Sequence, residues 1–357
     1  MNQKSVNILK SLKESVEKGN LTIEKFPIKD VMALICAEHK IWLTDLVQTW
    51  GTYEAIYHKS MNKVICERNL SELINLIEEL INDLEIIPKQ EAFVSEEKLR
   101  VLDQKINQSV ICHYKEYARK AYEEYPFHSQ QKKFVFQGKG VIYTVITGDY
   151  DELCTPQYID DKYDYICFTD NRDLTSDIWS VRYVENMENL DCARLSRKYK
   201  ILCHEFLEEY DYSIYVDGKI QIIGDLRKYI ETYCRGSSML CFPHFVRSCA
   251  YEEAKACIAI GKDTPEIIKK QMEGYEKEGY PVNNGLIDGA CLVRQHHSSI
   301  LQKVMECWWN EVKSKSRRDQ LSIGYACWKN NFHYDLSDLY TYQNEYLRKS
   351  RNWEKPY

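Results

Sequence analysis

Residues 212–222 read YSIYVDGKIQI. Tyr212 to Val216 is an apolar, β-branched run suited to a buried strand, and it stops at Asp217-Gly218-Lys219 before an apolar alternation resumes. A carboxylate, a glycine and an ammonium at that point fit two structures. One is a plain hairpin turn with a solvated Lys219. The other is a site presented at the end of a core strand. What surrounds this strand decides the fold that carries it.

Upstream, VIYTVIT (141–147), YDYICFTD (163–170) and WSVRYV (179–184) read as strands, and residues 191–210 read as one helix. Downstream, 225–234 reads as a helix, 239–244 as a strand, 251–262 as a helix and 264–279 as another, with Thr264 as N-cap and Pro265 at the first helical position. GLIDGACLVR (285–294) is a further strand, and 299–315 and 318–329 are helices. Strands alternating with helices imply an α/β layered domain with a mainly parallel sheet.

Residues 1–130 have a different texture. Val6, Leu9, Leu12 and Val16 fall at helical spacing, as do Leu70, Leu73, Leu76, Ile77, Leu80 and Ile81, with Pro88 as a stop. Residues 28–50 and 95–125 add two amphipathic segments. This predicts an all-α bundle of about four to six helices. His39 and His113 are lone histidines in helical patterns and read as core or surface residues, not ligands. Pro126, Gly138 and Gly140 punctuate the join. The expected division is a helical domain over 1–130 and an α/β domain over 131–357.

The net charge of -6 across 357 residues argues against a nucleic-acid binder. The 14 cysteines have no CxxC pair, so they read as reduced thiols in a cytoplasmic protein, with neither a disulfide framework nor a zinc site. No run of about 18 apolar residues occurs, so no membrane span is expected, and peripheral membrane contact stays compatible with the sequence.

In open α/β sheets, ligands gather beyond the carboxyl ends of the strands. Polar clusters fall at those ends repeatedly: Thr147-Gly148-Asp149, Thr169-Asp170-Asn171, Asp217-Gly218-Lys219, His244 with Arg247, and Asn283-Asn284-Gly285 leading to Asp288. Arg197, Lys200 and His204 lie on neighbouring parts of one helix face, either as a solvated basic stripe or as cations opposite an anion. Glu252 and Glu253 sit at a helix start, where acidic residues are ordinary dipole partners. Asp319 reads either as an N-cap or as a catalytic carboxylate.

Five stretches in this order, SRKYKILCH, YVDGKIQI, PHFVRSCAYEEAKAC, EIIKKQMEGYEKEGYPVNNGLIDGACLVRQH and SRRDQLSIGYACWK, closely resemble a glycosyltransferase-like domain family with bacterial and plant Golgi mucilage-related members. The resemblance covers about residues 140–335 and leaves out the N-terminal helices. It implies a GT-A-like, Rossmann-like mixed sheet flanked by helices. In GT-A transferases an acidic motif after the fourth strand holds a divalent ion on the donor diphosphate. Here that motif is Asp217-Gly218-Lys219, without a second carboxylate. Asp217 is thus the carboxylate for any manganese or magnesium, while Lys219 offers a charge that needs no metal. His244, Arg247, Tyr251, Glu252 and Glu253 match a His/Arg then Tyr-Glu-Glu signature. Gly285, Asp288 and Arg294 match a glycine-led strand, and Asp319 with Gln320 matches an Asp-Gln pair after a helix bearing Trp308 and Trp309.

The expected function is transfer of a sugar from a nucleotide-sugar donor to a hydroxyl of a glycan or lipid-linked glycan. Thr147, Asp170, Arg197, Lys200, Asp217, Lys219 and His244 are the expected donor-binding residues. Asp319 and Asp288 are the candidates for a catalytic base, which an inverting enzyme needs and a retaining one does not. Arg247, Tyr251, Glu252, Glu253 and Gln320 are placed at the acceptor or in support of the site. A non-catalytic binding or assembly protein on the same fold, or a hydrolase using the same carboxylates, remains the alternative.

Overall fold

A computed structural model describes residues 3–20, 71, 74–75, 77–78, 115, 118–125, 135–148, 150–244, 247–259 and 261–349. The chain divides into two compact units, residues 1–113 with 255–261, and residues 114–254 with 262–357.

In the first unit, helix α1 (Gln3–Glu17) follows the predicted stripe: Leu9 and Val16 are buried. Lys13 and Glu17 pair one turn apart at 3.5 Å, and Lys13 also meets Glu78. Most of the other expected N-terminal helical segments, with His39 and His113, lies outside the described residues.

The second unit is built on a seven-stranded mixed sheet. Its strands are β1 (Gly140–Ile146), β2 (Asp164–Thr169), β3 (Ser180–Tyr183), β4 (Tyr212–Val216), β6 (Met239–Pro243), β7 (Ile287–Gln295) and β8 (Asp335–Leu336), in the order β3-β2-β1-β4-β7-β6-β8. The short β5 (Ile220–Ile222) pairs with β9 (Leu347–Lys349) in a separate ribbon. The chain runs outward from β1 to β2 and β3, then returns to place β4 on the other side of β1. That reversal is the topological switch point, where a crevice opens at the strands' carboxyl ends. Only β7 opposes its neighbours, pairing antiparallel with both β4 and β6.

Helices cover both sheet faces, which is why β1 is buried along its whole length instead of alternating. Val141, Tyr143 and Val145 face a layer holding Leu195 and Ile201 of α2 (Cys192–Ile201) and Leu301, Val304 and Trp308 of α7 (Ser299–Ser314). Ile142 and Ile146 face the opposite layer, with Leu226, Tyr229 and Ile230 of α4 (Leu226–Tyr233). Each such fully buried side chain contributes about 1.5–3 kcal/mol of transfer free energy. Asp225 caps α4 by accepting from Arg227 N and Lys228 N.

Two expectations change. The helix expected over 191–210 breaks at Leu202 (φ -89°, ψ 37°) into α2 and a single turn, α3 (Cys203–Phe206). Arg294 explains the break: its guanidinium donates to the carbonyls of Lys200 (2.7 Å) and Ile201 (3.2 Å), which the helix end leaves without intrahelical partners. The hairpin reading of 212–222 also fails. Ile220 N donates to Asp217 O at 2.9 Å, closing a turn, but the strand that follows leaves the main sheet to pair with β9. Strands β8 and β9 have no counterpart in the sequence reading. Helices α5 (Ala250–Ala259), α6 (Pro265–Lys277) and α8 (Gln320–Lys329) fall where expected, although Thr264 makes no side-chain cap bond. No helix among the described residues is long and apolar enough to cross a membrane.

Candidate functional site

Asp217 stands at the carboxyl end of β4, one step beyond its last strand residue. Its N–H donates to Ala290 O of β7 at 2.8 Å, fixing the backbone. The Tyr215 hydroxyl, kept protonated by burial, donates to Asp217 Oδ1 at 2.7 Å. Asp217 Oδ2 lies 3.6 Å from Lys219 Nζ, and that ammonium stands 5.5 Å from the centre of the Tyr342 ring. Gly218 is needed between them: a Cβ there would come within 3.0 Å of Asp151 Cβ and Ile146 Cγ1. The turn is thereby pressed onto the end of β1.

Asp288 approaches from β7. The β6–β7 register jumps from Cys241 opposite Leu292 to Phe242 opposite Asp288, so residues 289–291 have no partner in β6, although Cys291 still pairs with Val216 of β4. A bulge bends the strand and re-aims its side chains. Asp288 is 3% exposed; Oδ1 accepts from Ala290 N at 3.0 Å, with the Tyr342 hydroxyl at 3.5 Å, while Oδ2 has no hydrogen-bond partner. Burial pushes its pKa up to about 6, opposed by the Ala290 N–H and Lys219 and reinforced by the negative charge of Asp217.

The bulge glycine, Gly289, lets a third group in: a Cβ there would lie 3.0 Å from Lys200 Nζ. Lys200 is 3% exposed and pairs with Asp319 Oδ2 at 2.6 Å, and Arg197 Nε lies 3.5 Å from Asp319 Oδ1. Asp319 occupies the N-cap position of α8 yet makes no capping bond, because its carboxylate turns to these cations. Burial alone would raise its pKa; Lys200, Arg197 and Arg318 hold it well below the usual carboxylate range. A base so fully engaged is a poor proton acceptor.

The remaining predicted residues divide. His244, Arg247 and Glu253 form a buried group: Arg247 Nε meets Glu253 Oε2 at 2.6 Å, His244 Nε2 lies 3.7 Å from the same oxygen, and Arg247 N donates to His244 Nδ1. Burial lowers His244 to about 4, so it carries no charge near neutral pH. Thr147 and Asp170 tie loops at the carboxyl edge. The Thr147 hydroxyl donates to Cys192 O at 2.7 Å, and Gly148 N donates to the Asp170 carboxylate at 3.0 and 3.1 Å. Tyr251 donates to Tyr280 O and Gln320 to Ile287 O, which brace the neighbouring loop and strand. Glu252 is half-buried on α5.

The sequence reading missed Arg318. Its charge acts on Asp319, Arg197, His244, Glu253 and Tyr342, linking the two groups. The signal was a second basic residue directly before the Asp-Gln pair. Across this edge Arg197, Lys200, Lys219, Arg247 and Arg318 are interleaved with Asp217, Asp288, Asp319 and Glu253. The arrangement suits an anionic ligand beside a carboxylate able to take a proton near neutral pH.

A family model described as TOD1/MUCI70, glycosyltransferase-like domain, matches residues 91–349, most of the chain. Over 157 residues the chain is 27% identical to the Arabidopsis thaliana protein named "Probable hexosyltransferase MUCI70". The match covers 41% of this chain and 27% of that relative, so the chain spans about a quarter of the relative's length.

Proposed function

We propose that this chain, which belongs to the TOD1/MUCI70 glycosyltransferase-like domain family, transfers a hexosyl group from a nucleotide-sugar donor to a hydroxyl of a glycan or lipid-linked glycan. The observation that carries the reading is the convergence of Asp217, Lys219 and Asp288 where the carboxyl end of β4 meets the amino end of the antiparallel β7, beside the β1–β4 switch point. The sheet order and its antiparallel β7 are compatible with a GT-A-like fold. Family membership and the relative's name support the hexosyl class.

In this mechanism the diphosphate lies against Lys219, Arg197 and Arg318, cations aimed at the charge that develops as the leaving group departs. Asp217 takes a sugar or ribose hydroxyl, held in one rotamer by Tyr215. Asp288 removes the acceptor proton, since its pKa of about 6 lies near the working pH. A carboxylate base of this kind makes the enzyme inverting. Lys200 and Asp319 neutralise each other beneath Gly289 and set the depth of the site. The Lys219 ammonium beside Asp217 Oδ2 supplies the charge a divalent ion would bring, so activity is expected to be independent of metal. The protein acts in cell-surface polysaccharide synthesis from the cytoplasm, at or near a membrane.

The test is nucleoside diphosphate release by the full chain from a panel of nucleotide sugars, with and without glycan acceptors. Asp288→Asn should lower turnover by at least a hundredfold with little change in donor affinity, a loss on the scale of removing a general base. Undiminished turnover by that variant would overturn the assignment.

A further inference from the structure

We propose that Tyr342, carried by a C-terminal strap over residues 340–349, is a positioning residue that holds Lys219 with its ring and Asp288 with its hydroxyl, the roles of those two residues resting on the proposed function. None of the five stretches that carry the family resemblance contains this strap.

The strap is built from its own sequence and then locked to the segment that follows Lys219. Asn344 folds it back: its side-chain oxygen accepts from Tyr346 N at 2.8 Å and Leu347 N at 2.9 Å, and its amide donates to Tyr340 O at 2.8 Å. Lys349 N donates to Tyr342 O at 2.9 Å and closes the turn. The returning strand β9 pairs with β5, whose three residues come directly after Lys219. Leu347 and Tyr346 are buried in the same layer as Ile220 and Ile222. Ile223 N and Gly224 N both donate to Tyr346 O, at 2.8 and 3.2 Å. Gly224 admits this close approach, since a Cβ there would collide with Glu345 O. Arg348 Nε and Nη2 donate to Gln221 Oε1 at 2.9 and 2.8 Å, and Gln221 Nε2 donates to Thr155 O at 2.7 Å. The chain thus leaves the Asp217-Gly218-Lys219 turn, pairs with the strap, and is met at that same turn by Tyr342.

Two contacts result. The centre of the Tyr342 ring stands 5.5 Å from Lys219 Nζ, within the reach of a cation–π attraction. The Tyr342 hydroxyl lies 3.5 Å from Asp288 Oδ1, which also accepts from Ala290 N at 3.0 Å. Catalytic contacts are often long in the free enzyme and tighten in the complex. Burial, and then the charges of Asp288 and Asp217, hold this phenol well above its ordinary range, so it stays a donor at working pH. A lysine stem is flexible, and ordering it costs entropy that a fixed ring has already met. Asp288 is gripped from β7 and from the strap together. One rigid side chain therefore sets the spacing between the cation on the leaving group and the base on the acceptor, a spacing on which transfer depends.

Calorimetric titration of the full chain with uridine, guanosine, cytidine and adenosine diphosphates reads the role of the ring. With the diphosphate that wild type binds, Tyr342→Leu should weaken affinity by about two- to fivefold, the scale of a cation–π contact, and Tyr342→Phe by less than about twofold. In a Lys219→Met background, Tyr342→Leu should have no further effect. A merely structural ring would weaken binding equally in both backgrounds; that result, or unchanged affinity in folded Tyr342→Leu, would overturn the proposal. Tyr342→Phe keeps the ring and reads the hydroxyl. Nucleoside diphosphate release by this variant should show kcat lowered about tenfold with KM unchanged, and no further loss when combined with Asp288→Asn. An unchanged kcat, or a loss carried by KM, contradicts the hydroxyl's role. Wild type that binds no diphosphate brings down the proposed function together with this inference. Wild type that binds and turns over, with Tyr342 variants that match it, brings down this inference alone.

Discussion

Replacing Asp288 with asparagine should make the protein more stable at neutral pH while disabling it. Burial moves this carboxyl from an ordinary 3.8 to about 6. About two pH units at about 1.36 kcal/mol each amount to about 3 kcal/mol that the ionised form costs the fold. The folded state binds this proton more tightly than the unfolded chain. Stability is therefore lost as pH rises from about 4 to about 6, and the loss is complete above that. Asparagine keeps an oxygen for the Ala290 N–H but carries no charge. Its amide NH2 takes the place of Oδ2, where no partner exists, at a cost of about 1–2 kcal/mol. The net gain at pH 7.5 is then about 1–2 kcal/mol, and at pH 4 the gain disappears or reverses. Denaturant unfolding of wild type and variant at the two pH values, followed by tryptophan fluorescence, measures that swing. A difference between the proteins that does not depend on pH would refute the reasoning, because the buried charge would then not be the cause.

Lys219→Met should weaken nucleoside diphosphate binding by about 2–3 kcal/mol, the scale of a charged hydrogen bond, and Lys219→Arg should restore only part of it; calorimetric titration of both variants checks this. Lys200→Met leaves the Asp319 carboxylate buried with Arg197 at 3.5 Å as its nearest remaining ion-pair partner, and should cost about 3–5 kcal/mol of unfolding free energy near neutral pH. Because the folded-state pKa of Asp319 is depressed, its pairing stabilises above about pH 4 and is lost as pH falls, so unfolding curves for Lys200→Met and wild type should converge in acid. Gly289→Ala would put a methyl 3.0 Å from Lys200 Nζ and should lower turnover more than stability, since the flexible ammonium can withdraw but the site depth changes; kcat and Tm measured together test that.

The strands were legible because burial on both faces leaves continuous apolar runs, as in Val141–Ile146 and Tyr212–Val216. Asp217, Lys219 and Asp288 were legible as strand-end polar residues. What could not be read was which groups neutralise which. Asp319 and Lys200 lie 119 residues apart, so their pairing at 2.6 Å is a consequence of topology with no local signal. The same holds for the break after Ile201, which depends on Arg294 arriving from another strand. The β7 bulge hid in an ordinary Asp-Gly-Ala, and β5 and β9 are too short for a periodicity argument.

The most direct test of the central claim is calorimetric titration of the full chain with uridine, guanosine, cytidine and adenosine diphosphates in the presence of EDTA. The account predicts that at least one binds without metal, and that Lys219→Met weakens this binding by about 30-fold or more while remaining folded. Binding that appears only when manganese or magnesium is supplied, unchanged binding by Lys219→Met, or no binding of any diphosphate under either condition would contradict it.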